Sequence, residues 1–93
     1  MSGFVKDPDS TLDYGIDWSR WLEDEELISS SQWDVPNDLT IVEDTFDPQG
    51  KTVVWLSGGV AGQLYTITNR INTNSQPVGR IEDRSITIRV REK

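Results

Sequence analysis

The chain has 93 residues, a formal net charge of -7, no cysteine and no histidine. This length allows one domain with a modest core, and the missing residue types exclude disulfides, thiolate metal sites and histidine-based catalysis. The acidic balance argues against a nucleic-acid partner, because phosphate contacts need a concentrated basic face. No apolar run approaches the roughly 20 residues that span a bilayer. The first residues lack the pattern of a signal peptide, so we expect a chain made in a cytoplasm, with no membrane partner and no cofactor.

The charge is divided unevenly along the chain. Residues 1–50 carry two basic and thirteen acidic side chains, a net charge of -11, whereas residues 51–93 carry seven basic and three acidic ones, a net charge of +4. If the two halves occupy different faces, an acidic side of one copy could meet a basic side of another copy or of a partner. The alternative is that both faces are simply solvated, as charged runs usually are.

Residues 1–11 predict an N-terminal arm or edge strand. The short run around Val5 stops at Pro8, which cannot donate to a sheet ladder. The nearby aspartates are spaced like calcium ligands, but the loop lacks the glycine and the bidentate glutamate of a calcium site. We therefore interpret this segment as a turn with solvated carboxylates and predict no metal.

The clearest alternation of the first half begins at Leu12. Tyr14, Ile16 and Trp18 share its parity, which predicts a strand with one buried face and places Trp18 in the core. Trp21 has the opposite parity, so it lies either past a bulge or on the outer surface, where an aromatic side chain can anchor a partner.

Four consecutive carboxylates, Glu23, Asp24, Glu25 and Glu26, follow this strand. Burying all of them together would cost a prohibitive desolvation energy, which predicts an exposed turn. A paired-carboxylate hydrolase draws its two acids from separate elements that line a cleft rather than from one solvated run. We therefore predict that the chain is not an enzyme.

The middle of the chain predicts three further strands. Residues 27–35 alternate with Trp33 inward, residues 39–42 form a short strand, and residues 43–50 form a loop. Residues 52–56 are nearly all apolar, which is typical of a strand covered on both faces or with one face at an interface, and we interpret Trp55 as structural.

The last third predicts a glycine turn and two long strands. Gly58, Gly59 and Gly62 lack the spacing of a phosphate-binding loop and are interpreted as a turn that uses positive φ. Tyr65 at the start of the next strand matches the tyrosine corner of immunoglobulin-like sandwiches, whose hydroxyl bonds to the backbone upstream. Asn69 lies between core isoleucines and is predicted to be a structural pin.

The final strand alternates from Ile86 to Val90, but Ile81 has the opposite parity, which predicts a bulge or bend near residues 83–85. Together these elements predict an all-β fold, an immunoglobulin-like antiparallel β-sandwich of about seven strands in a single domain over residues 12–93.

Four motifs stand out along the chain: residues 13–22, Trp33-Asp34-Val35-Pro36, the segment from Trp55-Leu56-Ser57-Gly58-Gly59 to Asn69, and residues 79–90. Together they resemble a family of small tailed-phage proteins, described as fibre-to-tail adaptor or neck-region virion proteins. The likeness covers most of the chain from about Lys6 onward. The resemblance implies an immunoglobulin-like β-fold and a structural, non-catalytic role in the virion, with several copies around the tail or neck.

A ring of identical copies needs one patch to dock on a different patch of its neighbour, and unequal charge on two faces suits such contacts. We therefore predict an interface in which Trp21 and the acidic run face basic residues of another copy or virion protein. The candidate interface residues are Trp21, Glu23, Asp24, Glu25, Glu26, Arg70, Arg80, Arg84, Arg89 and Arg91. Two alternatives remain at this point: a capsid decoration protein with the same fold, and a carbohydrate-binding module that stacks sugars on Trp21, Trp33 and Trp55.

Overall fold

The computed structural model describes residues 3–92, and within them the chain forms seven β-strands and no helix. Met1 and Ser2, in the predicted N-terminal arm, and Lys93, in the predicted domain of residues 12–93, lie outside the described residues. The strands are β1 (Gly3–Lys6), β2 (Leu12–Asp17), β3 (Ile28–Asp34), β4 (Leu39–Phe46), β5 (Lys51–Gly58), β6 (Leu64–Thr73) and β7 (Ile81–Val90). The predicted all-β sandwich of about seven strands is confirmed.

The strands form two sheets that pack face to face. The four-stranded sheet has the order β1-β7-β6-β3 and the three-stranded sheet the order β2-β5-β4. This arrangement is compatible with an immunoglobulin-like sandwich. The strand pairs within residues 12–93 are all antiparallel, as predicted, and β1, which precedes them, pairs with β7 in the parallel direction. Most of the chain separates these two strands, so no tight hairpin constrains their relative direction.

The core lies between the sheets and is built from alternate residues of each strand. In β5 the side chains of Thr52, Val54 and Leu56 are fully buried, and in β7 those of Ile86, Ile88 and Val90 are buried. Tyr14, Trp33, Leu39, Tyr65 and Ile67 complete the main cluster, and Trp18, Ile28 and Ile71 form a second one towards one end. Period-two burial is what the alternating sequence predicts.

Two strands differ from their predictions. β4 runs to Phe46 rather than ending near residue 42, and it carries a register shift between Ile41 and Glu43. Its residues after Leu39 are all exposed, and the polar sequence of its second half showed no sign of a buried face, so that half was predicted to be a loop. The bulge predicted in β7 is absent, since β7 pairs with β6 without a register shift from Ile81 to Arg89. Ile81 has the opposite parity because it faces solvent.

The turn between β5 and β6 uses glycines in the left-handed region. Gly58, Gly59 and Gly62 have φ values of 86°, 100° and 90°. A Cβ on Gly58 would lie 2.9 Å from the carbonyl oxygen of Asp38, so a side chain there meets both backbone strain and backbone atoms. The Gly59 N–H donates to that same Asp38 oxygen at 2.9 Å, which ties this turn to the end of the β3–β4 connection.

Candidate interaction surfaces

One end of the sandwich is closed by the loop of residues 18–27 and the β6–β7 turn of residues 74–80. Glu26 lies between them with its side chain only 3% exposed, and it accepts two hydrogen bonds from the Arg80 guanidinium, one of them 2.9 Å from Nε to Oε2. It also accepts bonds from the Thr73 hydroxyl at 2.6 Å and from the Glu23 backbone N–H at 2.9 Å. The prediction that all four consecutive carboxylates are solvated is therefore wrong for Glu26.

The pKa of Glu26 is strongly perturbed by these contacts. The hydrogen bonds from Arg80 lower it to about 2, outweighing the desolvation that would raise it, and bonds from Glu23 and Thr73 add to the lowering. The same ion pair raises the pKa of Arg80 above its already high value. Glu26 is buried at no prohibitive cost because only one of the four acids enters, and it enters with a cation and two neutral donors.

The Arg80 guanidinium also covers Trp21. Its central carbon lies 3.7 Å from the indole centroid, and Nη2 donates to the Trp21 carbonyl oxygen at 3.1 Å. Trp21 is half-buried and packs edge-on against Trp18, with ring centroids 5.5 Å apart. Trp21 and Arg80 were both predicted at an interface with another protein, and the structure shows them in contact with each other within one chain.

Glu23, Asp24 and Glu25 remain exposed beside this closed end. With Glu26 and residues 74–76 they line an open cleft of about 460 Å³. Glu25 adopts a φ of 64°, which a non-glycine residue visits rarely, so the loop is held in shape by its neighbours.

The other candidate arginines have different environments. Arg70 forms a bidentate pair with Asp83 at 2.8 and 3.0 Å on the outer face of the four-stranded sheet. Arg84 lies over the Trp18 ring at 4.4 Å and faces the groove beside β2. Arg89 and Arg91 are exposed, and within residues 3–92 neither side chain makes a hydrogen bond or an ion pair.

A buried polar network joins the two sheets beneath Trp18. The Asn69 side-chain oxygen accepts hydrogen bonds from Trp18 Nε1 at 3.0 Å and from the Thr52 hydroxyl at 2.8 Å. Its amide nitrogen donates to the Ser31 hydroxyl at 2.9 Å and to the Gln32 carbonyl oxygen at 3.0 Å. Every side-chain hydrogen-bonding atom of Asn69 has a partner, so this fully buried side chain fixes β6 against β3, β5 and Trp18, which follows β2.

The opposite end of the sandwich is closed around Lys6, which the sequence analysis did not single out. Lys6 is fully buried, and its ammonium donates to the carbonyl oxygens of Asp7, Ser10 and Gly58 at 2.9, 2.6 and 2.7 Å. Burial lowers the pKa of Lys6, while the charges of Asp7 and Asp9 act in the opposite direction. The only sequence signal was parity, since Lys6 follows Phe4 on the inward side of β1.

Tyr65 closes the β5–β6 turn at this same end. Its hydroxyl accepts a hydrogen bond from the Val60 backbone N–H at 2.9 Å, which is the upstream contact that a tyrosine corner predicts. It also donates to the Asp38 carboxylate at 3.0 Å. The turn, the β3–β4 connection and the start of β6 are therefore linked through one hydroxyl.

Trp55 lies on the outer face of the three-stranded sheet and is 39% exposed. Trp33 is buried on the inner face of β3, and Trp21 is half-buried in the loop after β2. The three tryptophans that a sugar-binding site would need therefore lie in different parts of the molecule. No row of exposed aromatics forms from them, and the carbohydrate-binding alternative loses its basis.

Residues 3–92 hold no group of three acidic, cysteine or histidine side chains able to bind a metal ion. Within the same residues no helix is long and apolar enough to cross a membrane. The described surface carries exposed charged and exposed apolar side chains on a two-layer β-framework, and such groups can contact other proteins.

The fold places the chain in the class of small all-β proteins. A family match then identifies the family within that class. The model of the family described as "Podophage GP4 fiber-tail adaptor protein gp77" matches residues 6–89, and the chain belongs to that family. The resemblance seen in the sequence is confirmed. Membership supports a role as a phage tail adaptor and implies a non-enzymatic virion component that binds other phage tail or fibre proteins. No curated protein matches the chain.

Proposed function

We propose that this chain is a structural adaptor of a tailed-phage virion that links the tail or connector to the fibres as several copies around the neck or tail. The observation that carries the proposal is the family match over residues 6–89, which includes all of β2 to β6 and most of β7. Assembly in the host cytoplasm before incorporation into the virion, without nucleic acid as a partner, is part of the same proposal.

The surface supports this role because its free charges are separated. Glu23, Asp24 and Glu25 are exposed at the end of the sandwich that Glu26 and Arg80 close. Arg89 and Arg91 are exposed at the end of β7, towards the opposite end of the sandwich. An acidic patch and a basic patch on different parts of one copy favour contacts between unlike patches, which are the contacts that build rings.

The geometry narrows the predicted interface. Arg80, Glu26 and Trp21 satisfy one another within the chain, and Arg70 is paired with Asp83. We therefore assign the interface role first to the acidic residues Glu23 to Glu25 and to the free arginines Arg89 and Arg91.

Native mass spectrometry at low and high salt, on the chain alone and mixed with the neck, tail and fibre proteins of the same phage, tests the proposal. We expect oligomers or complexes that weaken as salt rises, because exposed charge contacts are screened beyond about 10 Å at 0.1 M salt. A strict monomer under both conditions with no binding to those proteins would remove the proposal. Labelling of intact particles separates it from the capsid decoration alternative, which predicts label on the head shell.

A further inference from the structure

The outer face of the three-stranded sheet carries an aromatic residue between two acids. Because Val54 and Leu56 are fully buried, Trp55 between them points away from the core. The strand register places Asp13 of β2 and Glu43 of β4 directly beside it. Neither carboxylate accepts a hydrogen bond or forms an ion pair within residues 3–92. The centre of this face is therefore an exposed indole flanked by two unpaired negative charges.

The outer face of the four-stranded sheet carries the opposite arrangement. Arg89 lies between the fully buried Ile88 and Val90 and so points outward. The register places Val5 of β1 and Leu64 of β6 beside it, and these aliphatic side chains are 50% and 59% exposed. The centre of this face is an unpaired cation flanked by two exposed apolar groups.

We propose that these two faces dock on each other between copies of the chain, with Arg89 of one copy stacked on Trp55 of the next, between Asp13 and Glu43. A guanidinium over an indole gains cation–π attraction, and two flanking carboxylates give it charge-assisted hydrogen bonds. The two patches are opposite in charge. A two-fold contact would pair a patch with its own copy and bring like charges together, so it is disfavoured. This inference rests on the proposed multi-copy adaptor and specifies its copy-to-copy contact. It assigns Arg89 to that contact and leaves Glu23 to Glu25 for contacts with another virion protein.

The position of the two faces determines the type of assembly. They lie on opposite sides of the sandwich, so each copy presents one face to each neighbour and the contact is heterologous. Such contacts build a closed ring when the rotation between copies closes, and an open stack of copies when it does not. A two-fold dimer, which would use the same patch twice, is not expected.

On each face the three residues form a row across the strands: Val5, Arg89 and Leu64 on one, and Asp13, Trp55 and Glu43 on the other. The two rows fit best when the strands of the two copies cross. In that arrangement Val5 and Leu64 lie along β5, over Val53 and Ser57, and are kept away from the carboxylates. Arg91, which follows Arg89 on the same parity, then lies towards one of the acids. Crossed faces of this width bury a small area, at or below the lower limit of about 1,200 Å² for specific interfaces. A single contact is therefore weak, and repetition of the contact among several copies supplies avidity.

Charge reversal on either face tests the contact. Sedimentation velocity at high protein concentration and low salt would compare the full chain with Arg89→Glu and with the double variant Asp13→Lys/Glu43→Lys. We expect each variant to weaken self-association by about tenfold or more. Arg20→Glu, which makes the same charge change at an exposed loop position outside both rows, is the matched control and is expected to associate as the unmodified chain does.

Mixing the two reversed variants gives the decisive arm. The glutamate at position 89 of one variant then faces the lysines of the other, and association is expected to return because both kinds of contact are again between opposite charges. Circular dichroism of each variant checks that the sandwich is folded. Association that is absent in the unmodified chain, unaffected by either variant, or not restored by mixing would overturn this inference. The adaptor proposal itself falls on different results: a strict monomer that also binds no neck, tail or fibre protein, or a location of the chain away from the tail.

Discussion

The two ends of the sandwich each contain one buried ionisable side chain, and they satisfy it in different ways. At one end the Lys6 ammonium is held by three neutral carbonyl oxygens. At the other end the Glu26 carboxylate is held by a cation, a hydroxyl and a backbone N–H. Each contact set joins segments that are far apart in sequence, so at both ends a buried charged side chain links distant parts of the chain.

The difference is visible in the causes of the two pKa shifts. Desolvation is the largest influence on Lys6 and lowers its pKa, so charging this side chain in the folded state is costly. For Glu26 the hydrogen bonds from Arg80 are the largest influence and overcome desolvation. A buried charge with a counter-ion favours its ionised form, whereas a buried charge with neutral partners does not.

The largest expected effect comes from breaking the Glu26 end. Glu26→Ala leaves the half-buried Arg80 guanidinium without its counter-ion and the Thr73 hydroxyl without its acceptor. We expect a loss of about 3 kcal/mol in the free energy of unfolding, measured by urea denaturation. Asp24→Ala, an exposed acid in the same loop, is the control and is expected to change stability by less than about 0.5 kcal/mol. Equal effects of the two substitutions would contradict the role of Glu26.

The Glu26–Arg80 pair also predicts how the free energy of unfolding changes at acidic pH. Because the pKa of Glu26 falls from 4.5 to about 2 on folding, its contribution is fully present above pH 4.5 and is lost as pH falls to about 2. The contribution is of order 3 kcal/mol. Glu26→Gln keeps the shape of the side chain but removes this titration, so its stability should fall less steeply with acid. Parallel curves for the two proteins would show that Glu26 does not carry the pH dependence.

At the Lys6 end, Lys6→Met removes the donor and leaves three carbonyl oxygens with one partner fewer. We expect a loss of about 2 kcal/mol, together with faster amide exchange in β1. Lys51→Met, at an exposed position, is the matched control.

Burial lowers the pKa of Lys6, so the unfolded chain binds more protons than the folded chain at pH values just below 10.5. The stability advantage over Lys6→Met should therefore grow as pH rises towards 10.5. An advantage that shrinks in this range would reverse the assignment.

The smallest effect concerns the hydroxyl that closes the β5–β6 turn next to Lys6. Tyr65→Phe removes the hydrogen bonds to Val60 and Asp38 while keeping the ring in the core. We expect a loss of about 1 kcal/mol by urea denaturation. A loss near zero would mean that water replaces the hydroxyl and that the turn is held by its glycines alone.

The framework of the fold could be predicted because it depends on local pattern. The alternation of residue types in β2, β6 and β7 predicted which side of each strand faces the core. The same alternation predicted that Trp18 and Asn69 are buried. The contact from Tyr65 to the upstream backbone followed from its place after a glycine turn. These signals lie within a few residues of one another, where period and turn chemistry determine structure.

The two charged ends could not be predicted, because their partners are distant in sequence. Glu26 meets Arg80 across 54 residues and Lys6 meets Gly58 across 52. The local sequence shows that a residue is charged. It does not show that the fold brings a counter-ion or a set of carbonyl oxygens into contact with that residue. The same limit explains Trp55, whose apolar surroundings in sequence did not show that its side of β5 is open to solvent.

A map of the intact virion tests the central claim most directly. The account predicts that the two-layer sandwich of residues 3–92 fits density at the junction of the tail or connector with the fibres, in several copies around the tail axis. Density for the chain on the head shell, or its absence from the particle, would contradict the account.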